Sequence, residues 1–128
     1  MTFIEKPSPN HDERTLPVSM IVLHYTGMES GAAALERLTD PQAKVSAHYL
    51  VEEDGSVFRL VDEDRRAWHA GRSHWRDISD VNSASVGIEI VNPGHEFGYR
   101  PFPEVQIASV IRLVHAIKDR HEITRGNI

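Results

Sequence analysis

An α/β fold with a mixed central β-sheet flanked by helices is predicted by three features of this chain. Strand-like apolar runs alternate with a helical pattern, an Asp-Gly pair separates two β-rich runs, and the last long segment carries an apolar stripe at helical spacing. A length of 128 residues sets a single domain with core enough to fold without staples. Residues 1–17 are expected to be an extended, mostly solvated N-terminal arm without chemistry, and residues 18–128 the domain.

Residues 18–27 open that domain. Met20, Ile21, Val22 and Leu23 lie between Pro17 and Gly27 and read as a strand buried on both faces, with His24 where the strand emerges. Ligands and chemistry collect at strand ends in open α/β sheets, so this imidazole is placed to bind a metal, to move a proton, or simply to bond a neighbour. Gly31–Leu38 is a run of helix formers, with Ser30 as its N-cap and Asp40-Pro41 as its stop. Residues 45–61 read as a hairpin around Asp54-Gly55. His48 falls in its first arm, where packing against the sheet competes with a role in a site.

Residues 62–66 are a charged connector, expected on a solvated face. Trp68 reads as packing, whereas His69 is either a pocket residue or a structural one, because Ala70 and Gly71 leave open space beside it. Residues 72–84 form a polar loop of pocket-wall length, on which an exposed Trp75 would be a platform for sugar or peptide. Residues 85–91 are the second informative strand. Its alternation puts Glu89 on one face with Gly87 in what should be a central strand. A carboxylate there must be paired, hydrogen-bonded or functional, because an unpaired buried charge costs several kcal/mol. Gly87 leaves room on that face for a substrate or water. A turn-rich loop over residues 92–102 leads to a helix opened by Pro103 and Glu104. Its predicted buried stripe is Ile107, Val110, Ile111, Val114 and Ile117, with His115 and His121 facing solvent.

Composition excludes several classes. A net charge of −5 with scattered arginines argues against a nucleic-acid partner. No apolar run approaches the roughly 20 residues that span a bilayer. Residues 1–14 lack the basic start and apolar middle of a signal peptide, so a cytoplasmic location is expected, or a periplasmic or extracellular one if a leader was removed. With no cysteine, any zinc must be held by His, Asp or Glu, as in a catalytic site; the chain has eight histidines.

Four stretches, in order, carry a resemblance: Ile-Val-Leu-His-Tyr-Thr, Val-Ser-Ala-His-Tyr-Leu-Val followed by Asp-Gly, Ala-Trp-His-Ala-Gly, and Ser-Val-Gly-Ile-Glu-Ile-Val-Asn. Together they resemble the zinc-dependent N-acetylmuramoyl-L-alanine amidases of the amidase-2 type, bacterial or phage relatives of the peptidoglycan recognition proteins and of phage T7 lysozyme. The resemblance implies cleavage of the amide between N-acetylmuramic acid and L-alanine in peptidoglycan or muropeptides. It implies His24 as a Zn2+ ligand and Glu89 as the carboxylate that works on the attacking water. His69 is implied to line the substrate pocket and His48 and Trp68 to support it, and the loop at residues 72–84 adds Trp75 as a substrate-binding candidate. The family's remaining metal ligands follow the last helix, so they are expected beyond Ile128. Two other readings stay open: a peptidoglycan-binding module without catalysis, and a zinc held within the chain by His24, His48 and His69.

Overall fold

The structure, a computed structural model, describes residues 1–98 and 100–128; Tyr99, within the loop read at residues 92–102, lies outside them. The strands are β1 (Ile4–Glu5), β2 (His11–Glu13), β3 (Met20–Tyr25), β4 (Tyr49–Val51), β5 (Val57–Arg59), β6 (Arg65–Ala67) and β7 (Ser85–Ile90). The helices are α1 (Gly31–Leu38), the single turn α2 (Val81–Ala84) and α3 (Glu104–Arg120). Five strands make one sheet in the order β1-β5-β4-β7-β3, while β2 and β6 pair separately. The large sheet is mixed as predicted: β4 and β5 are antiparallel, and the β1–β5, β4–β7 and β3–β7 pairs are parallel.

Local chemistry accounts for the elements. Ser30 accepts a hydrogen bond from the Ala33 amide at 3.1 Å and so caps α1. Gly55 takes φ +91° in the β4–β5 turn, a conformation that glycine adopts without strain. Alternation along β7 then divides the core. Val86, Ile88 and Ile90 face α3 with Ile21, Tyr49, Val51, Val110, Leu113 and Ile117. Leu50 lies on the opposite face, packed with Ala34 and Leu38 of α1. Each fully buried Leu or Ile contributes about 1.5–3 kcal/mol, so this two-sided burial is what fixes the register of β7.

Several expectations are corrected. The N-terminal arm is woven into the fold: β1 pairs with β5, β2 pairs with β6, and Ser8 and Asn10 are buried. Ser8 donates to the Leu38 carbonyl at 2.6 Å, a group that the end of α1 would otherwise leave unpaired, and Asn10 donates to the Asp40 and Val45 carbonyls of the segment that follows. The charged connector at residues 62–66 is not simply solvated, because Arg65 and Arg66 lie in β6 and Glu63 bonds Tyr49, Arg120 and His121. His121 is thereby half-buried rather than solvent-facing. The loop at residues 72–84 ends in α2, capped by Asp80.

The strand β3 is not buried on both faces. It is the edge of the sheet, and Leu23 and Tyr25 are 42% and 58% exposed. On α3 the buried face is Gln106, Ser109, Val110, Leu113 and Ile117, while Ile107 and Ile111 point outward. Among the described residues no helix is long and apolar enough to cross a membrane.

Candidate active site

His24 and Glu89 are cross-strand partners on β3 and β7. Partners in parallel strands point to one side, so both side chains rise from the face opposite α3, on backbones about 5 Å apart. Leu50 is the next residue along that row. One step back along the strands, Val22 pairs with Gly87.

The face above Gly87 is not free for substrate or water. A Cβ there would meet the His69 ring at 2.4 Å, so the imidazole fills the space that the glycine leaves. His69 is held from both ends, 3.1 Å from His24 Nε2 at its Nδ1 and 2.9 Å from Ser85 Oγ at its Nε2. Its backbone is held too. The Asn82 amide oxygen accepts from the His69 and Ala70 N–H groups, and the Asn82 amide nitrogen donates to the Ala70 carbonyl.

His48 stands behind this group. It is completely buried, its Nδ1 accepting from the Gly87 amide at 3.1 Å and its Nε2 lying 2.8 Å from the Arg65 carbonyl. The accepting Nδ1 puts the ring proton on Nε2, and both nitrogens are used. Direct contact with substrate is therefore not what its burial provides; His48 fixes the backbone of Gly87. Arg14 lies 3.0 Å from the same Nε2 and donates to the carbonyls of Glu63, Asn82 and Ser83, which ties the first segment to the floor of the site.

Electrostatics separates these groups. Burial pushes His24 below the ordinary imidazole range, and it pushes His48 down to about 4 against the opposing bond to the Arg65 carbonyl. Burial, with His48 and His24 as neighbours, holds His69 well below that range. All three rings are neutral near pH 7, the form in which imidazole binds a metal. Burial works the other way on Glu89 and pushes it up to about 7. Among the described residues its carboxylate has no hydrogen-bond or ion-pair partner.

A cleft of about 610 Å³ runs along the open edge of β3, lined by Val22, Leu23, His24, His69, Ala70 and Trp75, among others. Trp75, also in that lining, is 44% exposed, with its indole N–H donating to Asn127 Oδ1. Trp68 lines a second hollow with Lys44, Val45 and Arg66, which shares His69, Ala70 and Gly71 with the cleft. The structure thus brings together His24, Glu89 and His69, puts Trp75 in the lining of the cleft that His24 and His69 also line, puts Trp68 in the adjoining hollow, and buries His48 completely. Ser85, Asn82 and Arg14 escape sequence reasoning, because each acts through a partner distant along the chain.

The donor set bears on a metal. Among the described residues no three His, Asp or Glu side chains converge to hold an ion. The arrangement of His24, His48 and His69 around one zinc is thus excluded: His48 is committed to Gly87 and Arg65, and its ring centroid is 6.2 Å from that of His69. His24 alone fits a ligand role, with one nitrogen directed at His69 and the other without a partner among the described residues.

The chain is 36% identical over 123 residues to the N-acetylmuramoyl-L-alanine amidase AmiD of Escherichia coli, covering 87% of this chain and 44% of AmiD. It is 30% identical over 141 residues to the 1,6-anhydro-N-acetylmuramyl-L-alanine amidase AmpD of Haemophilus influenzae, covering 94% of this chain and 74% of AmpD. It thus spans less than half the length of the AmiD relative and about three quarters of the AmpD relative. The solved complex of E. coli AmiD with anhydro-N-acetylmuramic acid-L-Ala-D-gamma-Glu-L-Lys superposes with a TM-score of 0.77 at 33% identity, covering 91% of this chain and 50% of that one. The Amidase_2 family, described as N-acetylmuramoyl-L-alanine amidase, matches residues 14–128, and the chain belongs to that family.

Proposed function

We propose that this chain carries the core of a zinc-dependent amidase that cleaves the bond between N-acetylmuramic acid and L-alanine in peptidoglycan or muropeptides. The observation that carries this reading is the pairing of His24 with Glu89 across β3 and β7, the carboxylate being unpartnered among the described residues and pushed up to about 7. A buried carboxyl near neutrality is matched to proton transfer. The substrate class follows the relatives, since AmiD was solved with an anhydromuramyl peptide.

In this reading His24 is one metal ligand, and the remaining ligands come from beyond Ile128. A bound zinc would supply Lewis-acid polarisation of the scissile carbonyl and a more acidic water. Glu89 takes the proton of the attacking water and returns it to the departing alanine nitrogen. Trp75 offers a face to the peptide or sugar across the cleft, and His69 holds His24 in place.

The test is Glu89→Gln in the full product of the gene, assayed on anhydromuramyl peptide. Loss of about 10²–10⁴-fold in kcat with zinc content unchanged is expected; near-normal turnover would remove Glu89 from the chemistry. A second reading, a muropeptide-binding module without catalysis, is favoured by the lack of three convergent donors among the described residues. Elemental analysis separates the two: about one zinc per full-length chain supports the enzyme, and none together with retained muropeptide binding supports the module.

A further inference from the structure

The hydrogen bonds around His69 have a direction, and it is set at Ser85. A serine hydroxyl has one proton, and a backbone carbonyl can only accept. Ser85 Oγ lies 2.6 Å from the Val81 carbonyl, so its proton is spent there. The same oxygen must then accept from His69 Nε2, 2.9 Å away, which puts the His69 proton on Nε2. His69 Nδ1 is left as a lone pair, and the group 3.1 Å from it, His24 Nε2, must donate. A doubly protonated His69 would be a charge only 9% exposed with no carboxylate on either nitrogen, a costly arrangement.

We propose that Ser85 and His69 are positioning residues that fix His24 as its Nε2–H tautomer, so that the lone pair it offers to a metal or a proton is on Nδ1. The parts of the relay are built in. The Val81 carbonyl and Ser85 belong to the turn of α2 leading into β7, Gly87 gives the His69 ring its seat, and Asn82 holds the His69 backbone. A ligating histidine whose other N–H is engaged is held in one orientation and is a better donor. That Nδ1 meets a metal rests on the ligand role proposed above; the tautomer itself rests on the hydrogen bonds alone.

The experiment is long-range proton–nitrogen correlation NMR of the histidine rings in the 128-residue chain, without metal, at pH 7.5. Expected is a lone-pair-type shift at His24 Nδ1 and a protonated-type shift at Nε2. In Ser85→Ala the His69 proton loses its acceptor, and the two His24 nitrogens move toward averaged shifts. His48 stays unchanged in that variant and reports an intact fold. A proton on His24 Nδ1 in the unsubstituted chain, or His24 shifts that Ser85→Ala leaves unmoved, would overturn the proposal. Should Ser85→Ala disturb His48 as well, His69→Phe decides, since it removes the acceptor directly: averaged His24 shifts support the relay and unmoved ones end it. None of these spectra needs zinc, so a full-length gene product that binds no metal would count against the amidase reading and leave the tautomer result standing.

Discussion

Glu89 loads the folded chain with an energetic cost that depends on pH. Its carboxyl is held at about 7 in the folded state against an ordinary value of 4.5, so the folded chain binds this proton more tightly than the unfolded one. Its contribution to stability is therefore intact below about pH 4.5, declines as pH rises, and settles at a cost of about 3 kcal/mol above pH 7. Without added metal, the melting temperature of Glu89→Gln should gain on that of the unsubstituted chain between pH 5 and 8; a constant difference across that range would mean the carboxylate is solvated or paired in solution. Glu89 and His24 were legible in the sequence because each breaks an apolar strand with a group that needs a reason to be there. Ser85 and Asn82 were not, since nothing in the local pattern marks a serine or asparagine whose partner is a histidine 13 to 16 residues earlier.

At the scale of elements, α3 is fastened to the sheet by polar groups as well as by its apolar face. Gln106 donates to the carbonyls of Val51 and Val91, and Ser109 donates to that of Gly55. Those bonds put two polar residues on the buried side and turn Ile107 and Ile111 outward, which is why a stripe read from apolar residues alone was rotated. The helix C-terminus is tied by Glu63, which binds Tyr49, Arg120 and His121. Burial by itself would raise this carboxyl, but hydrogen bonds from Arg120, Tyr49 and His121 outweigh it and bring it down to about 2. A depressed carboxyl stabilises above its unfolded value of 4.5, and the contribution is lost as pH falls toward 2. Acid titration of the unfolding free energy should therefore show a drop between pH 4.5 and 2 that is shallower in Glu63→Gln; equal slopes would mean that this tie is absent in solution. Replacing Gln106 with Leu strands the Val91 carbonyl, while that of Val51 keeps the Val91 N–H, and should lower stability by about 1–3 kcal/mol, read by chemical denaturation.

On the scale of the whole molecule, the mixed sheet and its flanking helices followed from strand and helix periodicity, and the hairpin from Asp54-Gly55. Strand order did not, because periodicity says which face a residue takes and nothing about which strand lies outermost. The N-terminal segment was misread for a related reason. Its residues are polar, and their burial comes from bonds to backbone groups of α1 and the following loop, partners that no local pattern announces. The resulting sheet is asymmetric at its borders. One border is β1, two residues long and set beside the exposed ion pair of Glu5 and Arg59; the other is β3, six residues long and apolar at Leu23. Fibre growth through sheet borders requires that each chain accept a neighbour on both sides. Here only one side is long enough to do so, and two chains that meet there have spent it on each other. Self-association of residues 1–128 by this route should saturate at two chains however concentrated the sample, which sedimentation across a concentration series would reveal; species that keep growing would require another contact surface.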